Sequence, residues 1–198
     1  MKDFLDTCIL FTAFDTRDAH YEEVCIFLEN QDDFLISIYQ EKEEIPKLFL
    51  RKQRFFMEAI KFSKNRSHIT DYSIFTDKEK IILKKLRHQI ASGLETEDGL
   101  IEKQREILLI RKKINEFIQT RISKKVIPIE KIDPTLVSLI TKENKNKADA
   151  KIISSAIQEH QENELIAFTL DKNDWKIIPI KEKIENLKFK CPEVRFLR

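Results

Sequence analysis

The runs FLIS (residues 34–37) and ELIAFT (residues 164–169) are apolar at nearly every position, yet too short to make a helix. A half-buried strand alternates apolar with polar residues, so unbroken runs of this length belong in strands covered on both faces, as inside a parallel sheet. Residues 2–5 read as a third such strand. Residues 16–29 lie between residues 2–5 and FLIS and carry Val24, Ile26, Phe27 and Leu28 on a helical repeat. A strand, helix, strand unit follows.

The pattern continues with an apolar-periodic stretch from Tyr39 to Phe62, including Ile45, Leu48, Phe49, Phe56, Ala59 and Ile60, where Pro46 is a point for a kink. Residues 64–76 read as loop. Thr76 followed by Glu79 is a capping-box signature for a helix reaching about Ile90. A second long helix over residues 97–122 places Ile107, Ile110, Ile114, Phe117 and Ile118 on one side, so the two resemble a helical hairpin. VIPI (residues 126–129) is expected as a strand, with Pro128 favouring an edge. Asp133-Pro134 opens a helix, residues 147–161 form another, and EVRFLR (residues 193–198) alternates as a final strand would. The expected fold is α/β, a parallel sheet of about five strands flanked by helices.

With 198 residues and 41% hydrophobic content, the chain can bury one sizeable core, so residues 1–198 are expected to form a single domain. Three cysteines, Cys8, Cys25 and Cys191, form no C-x-x-C pair, which argues against a disulfide framework and a zinc knuckle. Gly93 and Gly99 are the only glycines and neither follows a strand-like run, which excludes a P-loop and a dinucleotide fingerprint. No run approaches the ~20 apolar residues of a membrane span, and Asp3 and Asp6 interrupt the apolar N-terminal stretch. A cytoplasmic protein without a membrane partner is expected. Net charge is only +2, but residues 46–125 hold roughly 20 Lys/Arg against about 10 Asp/Glu. That imbalance fits a polyanion-binding surface and equally fits the solvated faces of long helices.

In a parallel sheet, functional groups gather beyond the carboxyl ends of the strands. Asp6 follows the first strand and Asp171 follows the strand ending at Thr169. Asp149 falls in the first turn of its helix, where the helix dipole favours a carboxylate, and Glu41, Glu43 and Glu44 begin the helix after FLIS. Each has an ordinary use alone, as a turn, cap or first-turn residue. Together they would repel one another unless a cation intervened, and oxygen-only ligands select Mg2+ or Mn2+ over zinc. The four histidines, His20, His68, His88 and His160, have no ligand spacing.

The motifs resemble those of PIN-domain ribonucleases. FLDTCIL is similar to the family's opening strand and Asp; ISIYQEKEEI, in which Ser37 precedes Glu43 by six positions, to its second motif; KADAKIISSAI to its third; and LIAFTLDKNDW to its fourth. All four stand in family order and cover roughly residues 1–45 and 126–198. Residues 46–125 then look like a basic helical insertion or cap, Glu44 competes with Glu43 for the second-motif position, and Cys8 stands where the family more often has Asn or Ser.

The resemblance implies that Asp6, Glu43, Asp149 and Asp171 hold one or two Mg2+ or Mn2+ ions, with Asp174 as an outer ligand and Thr169 orienting a carboxylate or water. The implied activity is endonucleolytic hydrolysis of single-stranded or looped RNA, leaving a 3′-hydroxyl and a 5′-phosphate. The biological role stays open among toxin, phage-defence nuclease and processing enzyme. Arg51, Lys52 and Arg54, set among aromatics in FLRKQRFF (residues 49–56), suit backbone neutralisation, while Phe49 and Phe56 suit a core. The insertion could instead dock an antitoxin, or a second copy in a homodimer, through an exposed stripe of Ile107, Ile114 and Phe117. The rival class is a non-catalytic RNA-binding or scaffolding subunit. A haloacid-dehalogenase-type phosphatase would need a second Asp where Cys8 stands.

Overall fold

Apolar runs without alternation and alternating runs take different places in the sheet. The computed structural model describes residues 2–197. Strands β1 (Lys2–Leu5), β2 (Phe34–Ser37), β3 (Ile122–Val126), β4 (Leu165–Thr169) and β5 (Glu193–Phe196) pair in parallel in the order β3-β2-β1-β4-β5. Every residue of β2 and β4 is buried, whereas the edge strands expose Ser123, Lys124 and Lys125 of β3 and Glu193 and Arg195 of β5. Eight α-helices accompany the sheet among the described residues: α1 (Thr7–Thr12), α2 (Tyr21–Glu29), α3 (Ile45–Lys64), α4 (Asp77–Ala91), α5 (Glu97–Thr120), α6 (Pro134–Asn144), α7 (Lys147–Glu162) and α8 (Lys181–Asn186). None is long and apolar enough to cross a membrane.

The chain divides into two compact units, one built from the stretch up to Ile45 and from Lys113 onward, the other from Pro46–Lys112. In the sheet unit, Phe4, Leu35 and Ala167 pack with Ile152, Ile153 and Ile157 of α7 and with Trp175. The helical unit has its own core of Ala59, Phe62, Phe75, Leu83, Leu86 and Ile90, with Phe56 against it and Phe49 fully buried. The capping box at Thr76 and Glu79 is formed. Glu79 also pairs with Arg51 at 2.9 Å, so the guanidinium ties α3 to the start of α4.

Several sequence expectations are corrected. The strand expected over residues 126–129 lies earlier, as β3, because Ile127 turns to φ 52° and Pro128 has no N–H to continue the ladder. The compact helical unit spans Pro46–Lys112, and the last two turns of α5 (residues 113–120) and β3 fall in the sheet unit. Ile26, expected on the inward face of α2, is 61% exposed; Val24 and Leu28 form the buried i, i+4 row, and Ile26 falls between them. The stripe of Ile107, Ile114 and Phe117 offers no docking surface. Ile107 and Ile114 are buried, and Phe117 packs its ring 5.9 Å from Phe14 and 5.8 Å from Phe34, because these large apolar groups supply core on their own chain.

That correction is measurable. Ile114→Ala is expected to lower stability by about 2–5 kcal/mol, while Leu109→Ala, at a side chain 59% exposed, should stay within about 0.5 kcal/mol. Urea midpoints of the two variants check it, and equal shifts would contradict the assignment of faces.

Candidate functional site

All five strands run the same way, so the segments after β1, β2 and β4 open at one edge of the sheet. The N-terminus of α7 lies there too, since α7 leads into the opposite end of β4.

Asp6 is the residue on which this edge turns. It is buried at the end of β1 and caps α1, its Oδ1 accepting the Thr7 N–H at 2.7 Å. Its Oδ2 accepts the Thr169 hydroxyl at 2.7 Å and the Cys8 thiol at 3.0 Å. Thr169 ends β4 and accepts the Asp171 N–H at 2.9 Å, while Cys8 Sγ accepts the Leu170 N–H at 3.2 Å. Burial raises the Asp6 pKa; the hydrogen bonds from Cys8, Thr169 and Thr7 oppose that rise, and the charge of Asp171 adds to it. Burial, then the Asp6 charge, pushes the Cys8 thiol up as well, so Cys8 acts as a neutral donor.

Asp149 occupies the third position of α7, behind the cap Asn146, whose Oδ1 accepts the N–H groups of Ala148 at 3.1 Å and Asp149 at 3.4 Å. The amide nitrogen of Asn146 donates to Oδ2 of Asp149 and, at 3.3 Å, to Oδ2 of Asp174. The Asp149 carboxyl is pushed up to about 9, first by burial, then by a hydrogen bond with Asp174 and the charges of Asp6, Asp174 and Glu44. Asp149 is therefore held in its protonated form at neutral pH. Asp171 has a local task as well, its Oδ1 accepting the N–H groups of Asn173 at 2.8 Å and Asp174 at 3.1 Å, which fixes the turn that presents Asp174.

The glutamates separate by register. Gln40–Glu44 is a turn of π-helix closed by a bond from the Ile45 N–H to the Gln40 carbonyl. Pro46 follows it, and a proline ring is incompatible with an ordinary turn over the carbonyl four residues back. Glu43 and Glu44 are both half-buried in this turn, and the charge of Glu44 is among those that raise the Asp149 pKa. Glu41 pairs with Lys125 of β3 at 2.6 Å.

The edge thus brings Asp6, Asp149, Asp171, Asp174 and Glu44 into mutual electrostatic reach. Their chemistry, all oxygen, suits a hard divalent cation. Among the described residues, however, no three Asp, Glu, His or Cys side chains stand together as a ready metal-ligand group. Arg51, Lys52 and Arg54 lie on α3, in the helical unit; Arg51 and Lys52 are half-buried and Arg54 is exposed.

Two residues escaped sequence reasoning. Gln40, fully buried, accepts the Ser37 N–H at 2.7 Å and donates to the Leu5 carbonyl at 2.9 Å, locking the ends of β2 and β1 together. Asn146 holds Asp149 and Asp174 side by side, and its signal was present as a cap residue three positions before an aspartate. No protein-family model, no curated protein and no solved structure matches the chain.

The Asp149 shift has a definite sign. The unfolded chain loses this proton near 3.8, the folded chain keeps it to about 9, so the folded state binds more protons across that window and stability falls as the pH rises through it. In metal-free protein, Asp149→Asn should raise the melting temperature at about pH 8, with the gain shrinking towards about pH 4. Thermal unfolding against pH checks this, and a gain independent of pH would contradict the raised Asp149 pKa.

Proposed function

We propose that the chain is a PIN-type, divalent-metal-dependent endoribonuclease that hydrolyses single-stranded or looped RNA. The observation that carries this reading is the gathering of Asp6, Asp149, Asp171, Asp174 and Glu44 at the carboxyl edge of a parallel sheet, with the pKa values of Asp6 and Asp149 raised by burial and by their neighbours. A cluster of like charges held this closely is relieved by a proton or by a cation. Bound there, Mg2+ or Mn2+ would lower the pKa of a water and neutralise charge on the scissile phosphate.

The chain's own groups have separable parts. Asp6 is held in one orientation by Thr7, Cys8 and Thr169, so its carboxylate needs little rearrangement to act as a ligand. Asp149 must give up its proton to act as a ligand, and the Asn146 amide nitrogen donates to both its carboxyl and that of Asp174. Of the two glutamates suggested by the motif, we favour Glu44, whose charge is among those that raise the Asp149 pKa. Phosphate affinity must come from cations, for which Arg51, Lys52 and Arg54 of α3 are the candidates the sequence offers; Arg51 also pairs with Glu79 at 2.9 Å. A cytoplasmic location suits an RNA substrate and three cysteines without a disulfide. The second reading, a non-catalytic RNA-binding subunit, draws on the lack of a ready ligand group among the described residues.

With Mn2+ or Mg2+ the protein should cut an unstructured RNA, and EDTA should stop it. Asp6→Asn should keep the fold and lose activity by orders of magnitude. Glu44→Gln should cost more activity than Glu43→Gln, and both more than Glu41→Gln. RNA binding without any cleavage would select the second reading, and full activity in the Asp6→Asn protein would exclude the nuclease.

A further inference from the structure

The turn that carries Asp171 and Asp174 also forms one wall of a cleft that the carboxylates do not use. The cleft has a volume of ≈ 430 Å³ and lies between this turn, the start of α8 and strand β5, a size usual for small-molecule sites. Ile177, Val194 and Phe196 line it, and Ile178, 85% exposed, is a large apolar side chain left in water beside them. Trp175 lines it too and is only 1% exposed, with its ring 6.2 Å from that of Phe4 in the core. Its indole N–H is the one buried side-chain nitrogen or oxygen among the described residues for which no hydrogen-bond partner is found. Buried donors are nearly always satisfied, so this one marks a place for an acceptor.

Charge narrows the occupant. Lys172, Lys176 and Lys181, all exposed, line the cleft. Its one acid, Glu193, is paired with Arg195 at 2.7 Å. The cleft therefore offers apolar walls, a single buried donor and three cations. A fatty acid carries its acceptors at one end alone, whereas a nucleotide carries them on both its base and its phosphate. A nucleoside monophosphate unit meets all three demands: a flat base against Ile177, Val194 and Phe196, a base carbonyl or ring nitrogen for the indole, and a phosphate for the lysines.

We propose that this cleft is a nucleotide subsite, taking one unstacked base with its phosphate. Chain order links it to the acidic edge, since Asp171 and Asp174 serve the cluster while their neighbours Lys172, Trp175 and Lys176 serve the cleft. The unit has two sources, a free mononucleotide or one nucleotide of an RNA strand. The second rests on the nuclease reading; the ligand chemistry of the cleft does not.

Trp175 is the chain's sole tryptophan, so its fluorescence reports on the cleft. Full-length protein in EDTA, where no cleavage occurs, is titrated with UMP, AMP, inorganic phosphate and a short oligouridylate. A saturable change is expected with the nucleotides and not with phosphate, and Lys176→Glu combined with Lys181→Glu should raise half-saturation by about tenfold or more. Equilibrium dialysis of labelled UMP reads the same binding without the fluorophore, and Trp175→Phe should weaken it. Tighter half-saturation with the oligonucleotide assigns the cleft to RNA; equal half-saturation assigns it to free nucleotide and overturns the RNA link. No binding by either method, or a response to phosphate equal to that of UMP, overturns the subsite. Cleavage without cleft binding removes the subsite alone, and cleft binding without cleavage removes the nuclease reading alone.

Discussion

A carboxylate buried at the end of a central strand must be satisfied, and the way Asp6 is satisfied organises the sheet edge. A buried charge without partners costs several kcal/mol or shifts its pKa until it is neutral. Asp6 takes both remedies in part: three donors surround it, from Thr7, Cys8 and Thr169, and its pKa is still raised. Because Thr169 closes the neighbouring strand, the same hydrogen bond that serves the charge also ties β1 to the start of the loop bearing Asp171. Cys8 suits this position because its thiol, kept neutral, donates to the carboxylate and accepts from Leu170.

Around that fixed point the remaining acids stand in a balance that a single positive charge can tip. The amino end of α7 and the amide of Asn146 offset part of the negative charge at Asp149, and its raised pKa, which keeps a proton on the carboxyl, offsets more. On the proposed nuclease reading, a divalent cation would do the same work as the proton, with two charges rather than one, and would link occupancy of the site to pH. The π-turn before Pro46 places Glu44 within reach of this balance, and such turns are frequent at functional sites.

The central strands were legible because FLIS and ELIAFT admit no other reading, and local chemistry announced the caps at Thr76 and Asp133. Asp6, Asp149 and Asp171 were legible through topology: once the strands are parallel, their following residues share an edge. What failed was information that sequence spacing does not contain. A helical period says that Ile107, Ile114 and Phe117 share a face, but not that the chain's own core covers them. A period of 3.6 also misses a wider turn, so the register of Glu43 and Glu44 could not be read from spacing. Gln40 and Asn146 are ordinary polar residues whose importance comes from what lies across from them.

The exchange of a proton for a metal ion is open to direct measurement. Calorimetric titration of Mn2+ into the full-length protein near neutral pH, in two buffers of different ionisation enthalpy, gives both affinity and the number of protons released. Saturable binding with proton release is expected, with the release reduced in Asp149→Asn and the affinity reduced in Asp6→Asn. No binding at millimolar Mn2+, or binding unchanged by both substitutions, would contradict a metal site at this edge.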